Sequence, residues 1–254
     1  MNIEYTKISP TQNITIMVKT PVPAERQSWV SERLMALEPD CEQVGFIEPS
    51  QSCDAKLKMM GGEFCGNASM SLAALLARRD GMERQNLKLE VSGVDEPVSV
   101  FVKAAPGGYD GVVDMPLPTE IAPHKFGKYT LPLVRFPGIA HAVITDDMPI
   151  ELAKTVVREW GNELNEGAFG LMLLDRENLS LTPIVYVRDT DTVVLESSCA
   201  SGTAAVGAYL AGEELTLKEP GGAMSVRTRR ENGVLTKLEL MGNVVFLREG
   251  QAEV

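Results

Sequence analysis

One short pattern occurs twice in the sequence, and this repetition constrains the fold more than any other feature. The first copy reads GEFCGNAS around Cys65, and the second reads SSCASGT around Cys199. In each copy a cysteine follows a predicted strand and precedes a predicted helix of small residues. The intervals from Cys65 to Ala77 and from Cys199 to Ala211 are equal. A repeated strand, turn and helix predicts an α/β chain with two similar lobes.

Prolines, hydrophobic periodicity and helix-end signals predict the boundaries of the lobes and of their helices. Pro116-Leu117-Pro118 predicts a crossover between lobes, because proline breaks both helices and strand pairing. The first lobe is therefore expected to end at residue 118, and the second to begin at 119. Hydrophobic periodicity and terminal signals predict helices over 21–37, 67–79, 149–160 and 203–211.

Composition excludes several classes of protein. The net charge of -11 and the pI near 4.8 argue against nucleic acid as a partner, because phosphate binding needs a basic face. No apolar run long enough to span a bilayer and no signal-peptide pattern is found, so a cytoplasmic protein without membrane contact is expected. The four cysteines, Cys41, Cys53, Cys65 and Cys199, lack the spacing of a disulfide framework or a zinc site, and no metal is expected.

The two repeated cysteines are candidates for proton transfer. A thiol at the N-terminal end of a helix lies beside unpaired N–H groups, which favour the thiolate. If Cys65 and Cys199 face one cleft, one can remove the α-proton of an amino acid while the other protonates the opposite face. This chemistry needs no cofactor. Backbone N–H groups are predicted to bind the substrate carboxylate at these positions: Gly66, Asn67, Ser201, Gly202 and Thr203.

Other polar positions leave alternatives open. Asn13, in the turn that starts at Pro10, can offer its amide to a ligand or simply hydrogen-bond its own turn. Cys41 and Cys53 are interpreted as small buried side chains. A duplication that preserves packing alone would also keep the spacing around Cys65 and Cys199.

These motifs resemble those of a known superfamily. GGEFCGN around Cys65 and SCASGT around Cys199 resemble the two active-site motifs of the diaminopimelate epimerase and proline racemase superfamily. Three further segments match it in order and approximate spacing, namely 12–13, 44–50 and 138–141. The resemblance therefore covers nearly the whole chain.

The resemblance implies a fold and an activity. It implies a cofactor-independent amino-acid racemase or epimerase with two pseudo-symmetric lobes, each a mainly antiparallel sheet wrapped round a central helix. The C-terminal strand, 244–254, would return to the first lobe, and the second lobe would cover 119–243. By the same resemblance His141 and Glu196 are expected to assist the two cysteines in catalysis.

Departures from the superfamily pattern bear on the substrate. Diaminopimelate epimerases carry a Glu-Arg pair before the second cysteine, where this chain has Glu196-Ser197-Ser198. Ile139 stands where those enzymes have asparagine. Diaminopimelate is therefore not the expected substrate. An amino acid with an aromatic, imidazole or aliphatic side chain is expected, as in the histidine racemases of this superfamily.

Two other functions remain open at this stage. An isomerase of the phenazine-biosynthesis type shares the fold but uses a glutamate, and the presence of both Cys65 and Cys199 argues against it. A binding protein that holds a small acid at the helix ends would not need the thiols. The sequence also leaves open whether the chain forms a homodimer.

Overall fold

The chain divides into two compact units in the computed structural model, which describes residues 1–188 and 191–254. The first unit comprises Met1–Asp114 and Met241–Val254, and the second comprises Met115–Leu240. The chain passes from the first unit to the second after Asp114 and returns after Leu240. The sequence predicted these two crossings a few residues later, after 118 and after 243. None of the helices in the described part of the chain is long and apolar enough to cross a membrane.

The first unit is built mainly from strands. Its elements in chain order are β1 (Asn2–Pro10), β2 (Thr15–Val18), α1 (Ala24–Leu37), β3 (Gln43–Glu48), β4 (Ala55–Met59), α2 (Gly66–Arg79), β5 (Arg84–Val91), β6 (Val98–Ala105) and β7 (Gly108–Asp114). The first unit also receives residues 241–253 of the long strand β16 (Val234–Glu253).

The strands of the first unit form a closed ring around α2. Neighbouring strands follow the order β1 to β7, then β16, and β16 pairs again with β1. The pairs β2 with β3 and β4 with β5 run parallel, and α1 and α2 make these two connections. Helix α2 contacts strands β1, β2, β5, β6 and β7 and buries 11 of its 14 residues. It is therefore the central helix of this unit, whereas α1 packs against β3.

The second unit uses the rest of the chain. Its elements in chain order are β8 (Glu120–Phe126), β9 (Tyr129–Phe136), β10 (Ile139–Ile144), α3 (Ile150–Leu164), β11 (Ala168–Asp175), β12 (Ser180–Val187), β13 (Thr192–Leu195), α4 (Ala200–Leu210), β14 (Glu214–Glu219), β15 (Gly222–Glu231) and the first part of β16.

The second unit repeats the internal order of the first. Its strands neighbour one another in the order β16, β15, β14, β12, β11, β10, β9 and β8, with β13 beside β12. The parallel pairs are β10 with β11, joined by α3, and β12 with β14, joined through α4. Helix α4 contacts β9, β10, β11, β14 and β15 and buries 8 of its 11 residues. Each unit thus wraps a mainly antiparallel sheet round one central helix, which confirms the predicted α/β fold.

Three predicted helix ends were wrong. Helix α1 begins at Ala24, after the N-cap residue Pro23, rather than at residue 21. Helix α3 does not stop before Gly161 but continues to Leu164, and Asn165 ends it in the left-handed conformation with φ 57°. Gly161 is kept inside the helix because a side chain there would meet the ring of Tyr186, at 2.6 Å from a built Cβ. Helix α4 begins at Ala200, directly after Cys199, rather than at Thr203.

Candidate active site

Each of the two repeated cysteines is the N-cap residue of a central helix. Cys65 precedes α2 with φ -132°, and Cys199 precedes α4 with φ -121°. The Sγ atom of Cys65 accepts a hydrogen bond from the N–H of Ala68 at 3.4 Å, and that of Cys199 accepts one from Gly202 at 3.3 Å. Both thiols therefore take the place of the oxygen that usually caps a helix.

The first cysteine has a neutral amide as its neighbour. The half-buried Cys65 thiol donates to Oε1 of Gln43 at 3.2 Å. The Nε2 atom of Gln43 donates in turn to the side chains of Asn13 and, at 2.9 Å, Thr15. The Nε2 atom of Gln43 is therefore held by Asn13 and Thr15 while its Oε1 atom contacts the thiol. Gln43 begins β3, belongs to no motif and was not predicted from the sequence.

Asn13 lies in the same group of side chains. It is 5% exposed, its Nδ2 donates to Glu42 at 2.5 Å, and its Oδ1 accepts from Gln43. Both ends of the amide that was predicted to face a ligand are therefore engaged by protein groups. In this structure Asn13 supports Gln43, and through it the position of Cys65.

The second cysteine has a serine and a histidine on one side. Cys199 is 4% exposed, and its Sγ lies 3.7 Å from Oγ of Ser201. The same Ser201 oxygen lies 2.9 Å from Nε2 of His141. His141 is fully buried, and its Nδ1 has no hydrogen-bond partner in the described structure. His141 thus reaches Cys199 through Ser201 rather than directly.

Gly170 provides the space for His141. The two residues are paired in the parallel register of β10 and β11. A built Cβ at Gly170 would lie 2.2 Å from Nδ1 of His141, so any larger residue would displace the ring. Complete burial lowers the pKa of His141 to about 3, so the imidazole is neutral near pH 7.

Two carboxyl groups face the second cysteine. The pKa of the Cys199 thiol is raised well above its ordinary value, first by burial and then by the negative charge of Glu196, which also forms a hydrogen bond with it. Glu219 raises the pKa further, while Ser201 lowers it. The sequence predicted that the helix end would favour a thiolate at Cys199. In this structure burial and the two carboxylates outweigh the helix end.

Glu219 is a second residue that sequence reasoning missed. It ends β14, and its carboxyl accepts the backbone N–H of Cys199 at 2.7 Å and contacts the hydroxyl of Thr203. The only local signal is an acid before a Pro-Gly turn, which nothing connects to a cysteine 20 residues earlier.

The backbone donors of α4 are partly occupied. The N–H of Gly202 donates to Cys199 Sγ, and that of Thr203 donates to the Cys199 carbonyl at 2.9 Å. These two predicted carboxylate-binding donors are therefore engaged within the helix end. The N–H groups of Ala200 and Ser201 have no acceptor within the helix. In α2, Gly66 and Asn67 hold the corresponding positions, ahead of the bond from Ala68 to Cys65.

A cluster of possible metal ligands lies near Cys41. Glu38, Asp40 and Cys41 bring their side-chain ligand atoms within 4.8 Å of one another. The ammonium of Lys7 already lies between the carboxylates, at 3.1 Å from Glu38 and 2.5 Å from Asp40. Burial raises the pKa of Cys41 to about 11, which keeps this thiol protonated.

Known proteins resemble this chain in both sequence and structure. A histidine racemase from Fusobacterium nucleatum subsp. nucleatum is 36% identical over 218 residues, covering 82% of this chain and 81% of that protein. A histidine racemase from Staphylococcus aureus is 29% identical over 272 aligned positions, covering 99% of this chain and 98% of that protein. The crystal structure of a probable proline racemase from Agrobacterium radiobacter, with bound carbonate, has a TM-score of 0.72 at 15% identity. That match covers 99% of this chain and 92% of the other.

The structural match shows that the chain shares its fold with this probable proline racemase. Together with the histidine racemase relatives, it confirms the resemblance read from the motifs. A family model described as the histidine racemase CntK N-terminal domain matches residues 2–252. The chain therefore belongs to this histidine racemase family and is an amino-acid racemase, an isomerase that does not depend on pyridoxal phosphate.

Proposed function

We propose that this chain racemises free histidine, with Cys65 and Cys199 exchanging the α-proton and no cofactor taking part. The observation that carries the proposal is the matched placement of the two cysteines. Each caps the central helix of its unit and each accepts a hydrogen bond from the third residue after it. A packing role for the repeat would require small residues there but not two thiols.

The chemistry needs one base and one acid. In one direction a thiolate takes the α-proton, so a C–H bond breaks and an S–H bond forms. The other thiol gives its proton to the opposite face of the carbanion, so that its S–H bond breaks as the new C–H bond forms. Cysteine suits both roles because its ordinary pKa of about 8.5 lies near the working pH.

The substrate carboxylate must be held while charge develops on it. Backbone N–H groups at a helix N-terminus bind anions well, because they point outward and carry the positive end of the helix dipole. We assign this role to backbone N–H groups in the first turns of the two central helices, those of Ala200 and Ser201 in α4 and of Gly66 and Asn67 in α2. Each of the four is next to, or one residue beyond, a cysteine.

Two observations favour histidine as the substrate: the names of similar proteins, and the differences between this sequence and diaminopimelate epimerases. The two similar proteins are named histidine racemases. Ile139 and the Glu196-Ser197-Ser198 segment offer a distal carboxylate fewer polar partners than the corresponding residues of diaminopimelate epimerases. An imidazole carries no such charge, so its burial costs less without those partners.

His141 and Ser201 are assigned to support of the second thiol. Because His141 is neutral near pH 7, it can donate or accept through Nε2 without adding charge beside Cys199. The Ser201 hydroxyl lies between the ring and the thiol. It can therefore donate a hydrogen bond to the Cys199 sulfur when this is a thiolate and accept one when it is a thiol. Glu196 adds a negative charge that favours the protonated thiol.

The proposal is tested by incubating the protein in deuterium oxide with single L-amino acids. Histidine, phenylalanine, leucine and diaminopimelate represent imidazole, aromatic, aliphatic and distal-carboxylate side chains. We expect α-deuteration and appearance of the D enantiomer with histidine, and neither with diaminopimelate. Mass spectrometry and chiral chromatography measure the two outcomes separately.

The double variant Cys65→Ser/Cys199→Ser serves as the negative control. It should show neither deuteration nor inversion, while calorimetry still detects binding of histidine through the backbone donors. Binding without any deuteration by the unmodified protein would indicate a binding protein instead of a racemase. Turnover of another amino acid in place of histidine would correct the substrate and leave the chemistry in place.

A further inference from the structure

Glu219 occupies an unusual position for a carboxyl group. It is 7% exposed and lies at the end of β14, against the N-terminal end of α4. One oxygen accepts the N–H of Cys199 at 2.7 Å, and the other contacts the hydroxyl of the fully buried Thr203. The carboxyl therefore contacts both the capping cysteine and the first turn that follows it.

No cation compensates this carboxyl. Among the residues that the structure describes, no lysine, arginine or histidine forms an ion pair with Glu219, and burial raises its pKa to about 7. An amide of the same shape could accept from Cys199 and pair with Thr203 at a lower desolvation cost. The two hydrogen bonds alone therefore do not account for an acid at this position.

The charge acts on the thiol of Cys199. Three kinds of groups face this thiol: Glu196 from the preceding loop, Glu219 from β14, and Ser201 of α4 with the neutral His141 of β10 behind it. The first two are acids, and a negative charge close to a thiol favours its protonated form. Glu219 differs from Glu196 because it also binds the backbone of Cys199, which fixes the distance between the charge and the thiol.

We propose that Glu219 is a positioning residue for the racemase reaction: its buried carboxylate holds the backbone of Cys199 and, together with burial and Glu196, keeps that thiol protonated in the resting enzyme. This inference rests on the proposed function of Cys199. It assigns the first proton donation to Cys199 and the first proton removal to Cys65. After that transfer the new Cys199 thiolate lies beside Glu219. Repulsion between the two negative charges then favours reprotonation of Cys199.

The inference is tested by titrating the thiolate of Cys199 through its ultraviolet absorbance. The signal of Cys199 alone is the difference between a protein and its Cys199→Ser counterpart, measured with Glu219 and with Glu219→Gln. Glu219→Gln keeps the size and both hydrogen-bond positions and removes the charge. We expect the midpoint of the Cys199 titration to fall by about half a pH unit or more.

Two further variants separate charge from structure. Glu214→Gln changes an exposed acid of the same strand, which pairs with Arg227, and should leave the midpoint unchanged. Thr203→Val removes one hydrogen bond to Glu219 and keeps the acid, so it should not lower the midpoint. Thermal melts followed by circular dichroism identify any variant that has lost its fold.

The outcomes are distinct. An unchanged midpoint in folded Glu219→Gln, or an equal fall in Thr203→Val, overturns the inference. Normal racemisation by Cys199→Ser would overturn the proposed function instead, and the titration would still report whether Glu219 controls the thiol. A fall in Glu219→Gln alone, with a matching shift of the kcat/KM pH profile toward lower pH, supports it.

Discussion

The surroundings of Cys65 and Cys199 differ far more than their backbones do. Both cysteines cap a central helix and both accept one backbone N–H. Cys65 is half-buried and donates to the neutral amide of Gln43. Cys199 is almost fully buried and lies close to two carboxyl groups, Glu196 and Glu219.

This difference shows that two units with the same fold need not give their cysteine thiols the same chemical properties. A helix end favours a thiolate by a fraction of a kcal/mol to about 2 kcal/mol. Burial and nearby acids shift a pKa by more than that, and here they act on Cys199 in the opposite direction. The two thiols can therefore begin the reaction in different protonation states although the chain folds around them in the same way.

The largest expected effect is loss of either thiol. Cys65→Ser and Cys199→Ser should each lower the rate of inversion by about 10³-fold or more, because a serine hydroxyl is a poor acid and base. Each variant keeps one thiol, so slow α-deuteration of one enantiomer should persist without inversion. The two variants should label opposite enantiomers of histidine.

Cys53→Ser is the matched control, since this half-buried cysteine lies outside both helix ends. It should retain full turnover. If Cys65→Ser and Cys199→Ser label the same enantiomer, the assignment of one thiol to each face is wrong.

The next largest effect is the change in stability when the charge of Glu219, in the second unit, is removed. Burial raises the folded-state pKa of Glu219 from its ordinary value of 4.5 to about 7. Stability that is present below pH 4.5 is therefore lost as the pH rises through 7. Glu219→Gln avoids this loss and should gain up to about 3 kcal/mol in free energy of unfolding over the parent between pH 5 and pH 8.

Urea unfolding at several pH values measures this gain. Glu214→Gln, on the same strand but exposed, should show a constant difference from the parent. A Glu219→Gln difference that also stays constant with pH would mean that the carboxyl does not titrate in this range.

A third change makes the first half resemble the second. Gln43→Glu places a carboxylate beside the Cys65 thiol, and a like charge at that distance should raise the pKa of Cys65 by about one pH unit. We expect turnover near pH 7 to fall roughly tenfold and to recover at higher pH. The pH profile of kcat/KM is the measurement.

Gln51→Glu adds the same charge at an exposed loop position and serves as the control. Its profile should match that of the parent. Equal profiles for both variants would show that Gln43 does not influence the reacting thiol.

The smallest expected effect tests the contacts that run from His141 through Ser201 to Cys199. Gly170→Ala should displace the His141 ring and cost about 1 kcal/mol in stability. Turnover should fall a few-fold as Ser201 loses its partner. Gly167→Ala is the control, because a Cβ there meets a carbonyl only at 3.5 Å. Equal stability of the two variants would contradict the tight packing around His141.

The sequence predicted the parts of the site that depend on local signals. The two cysteines, their helices and the α/β class follow from a short pattern that occurs twice in the chain. Gln43 and Glu219 could not be predicted in this way, because they approach the cysteines from strands 22 and 20 residues distant along the chain. No neighbour in sequence marks either residue.

Packing also overrode some local expectations. Gly161 was expected to end α3, but it allows close approach of Tyr186 and the helix continues. Gly202 was predicted to offer its N–H group to the substrate carboxylate, yet a Cβ there would lie 2.2 Å from Sδ of the buried Met172. A larger residue at Gly202 would therefore disturb the core beneath α4 before it blocked a substrate.

The long strand β16 has a consequence for the order in which the protein is completed during synthesis. Its residues 244–253 pair with β1, so the ring around α2 closes only when these residues have been made. The second unit is continuous and needs nothing beyond residue 240. The unit that leaves the ribosome first is therefore the last to be finished, and until then β1 presents an open edge to other chains. A released chain that ends near residue 243 should accordingly contain a protease-resistant second unit and a cleavable first one.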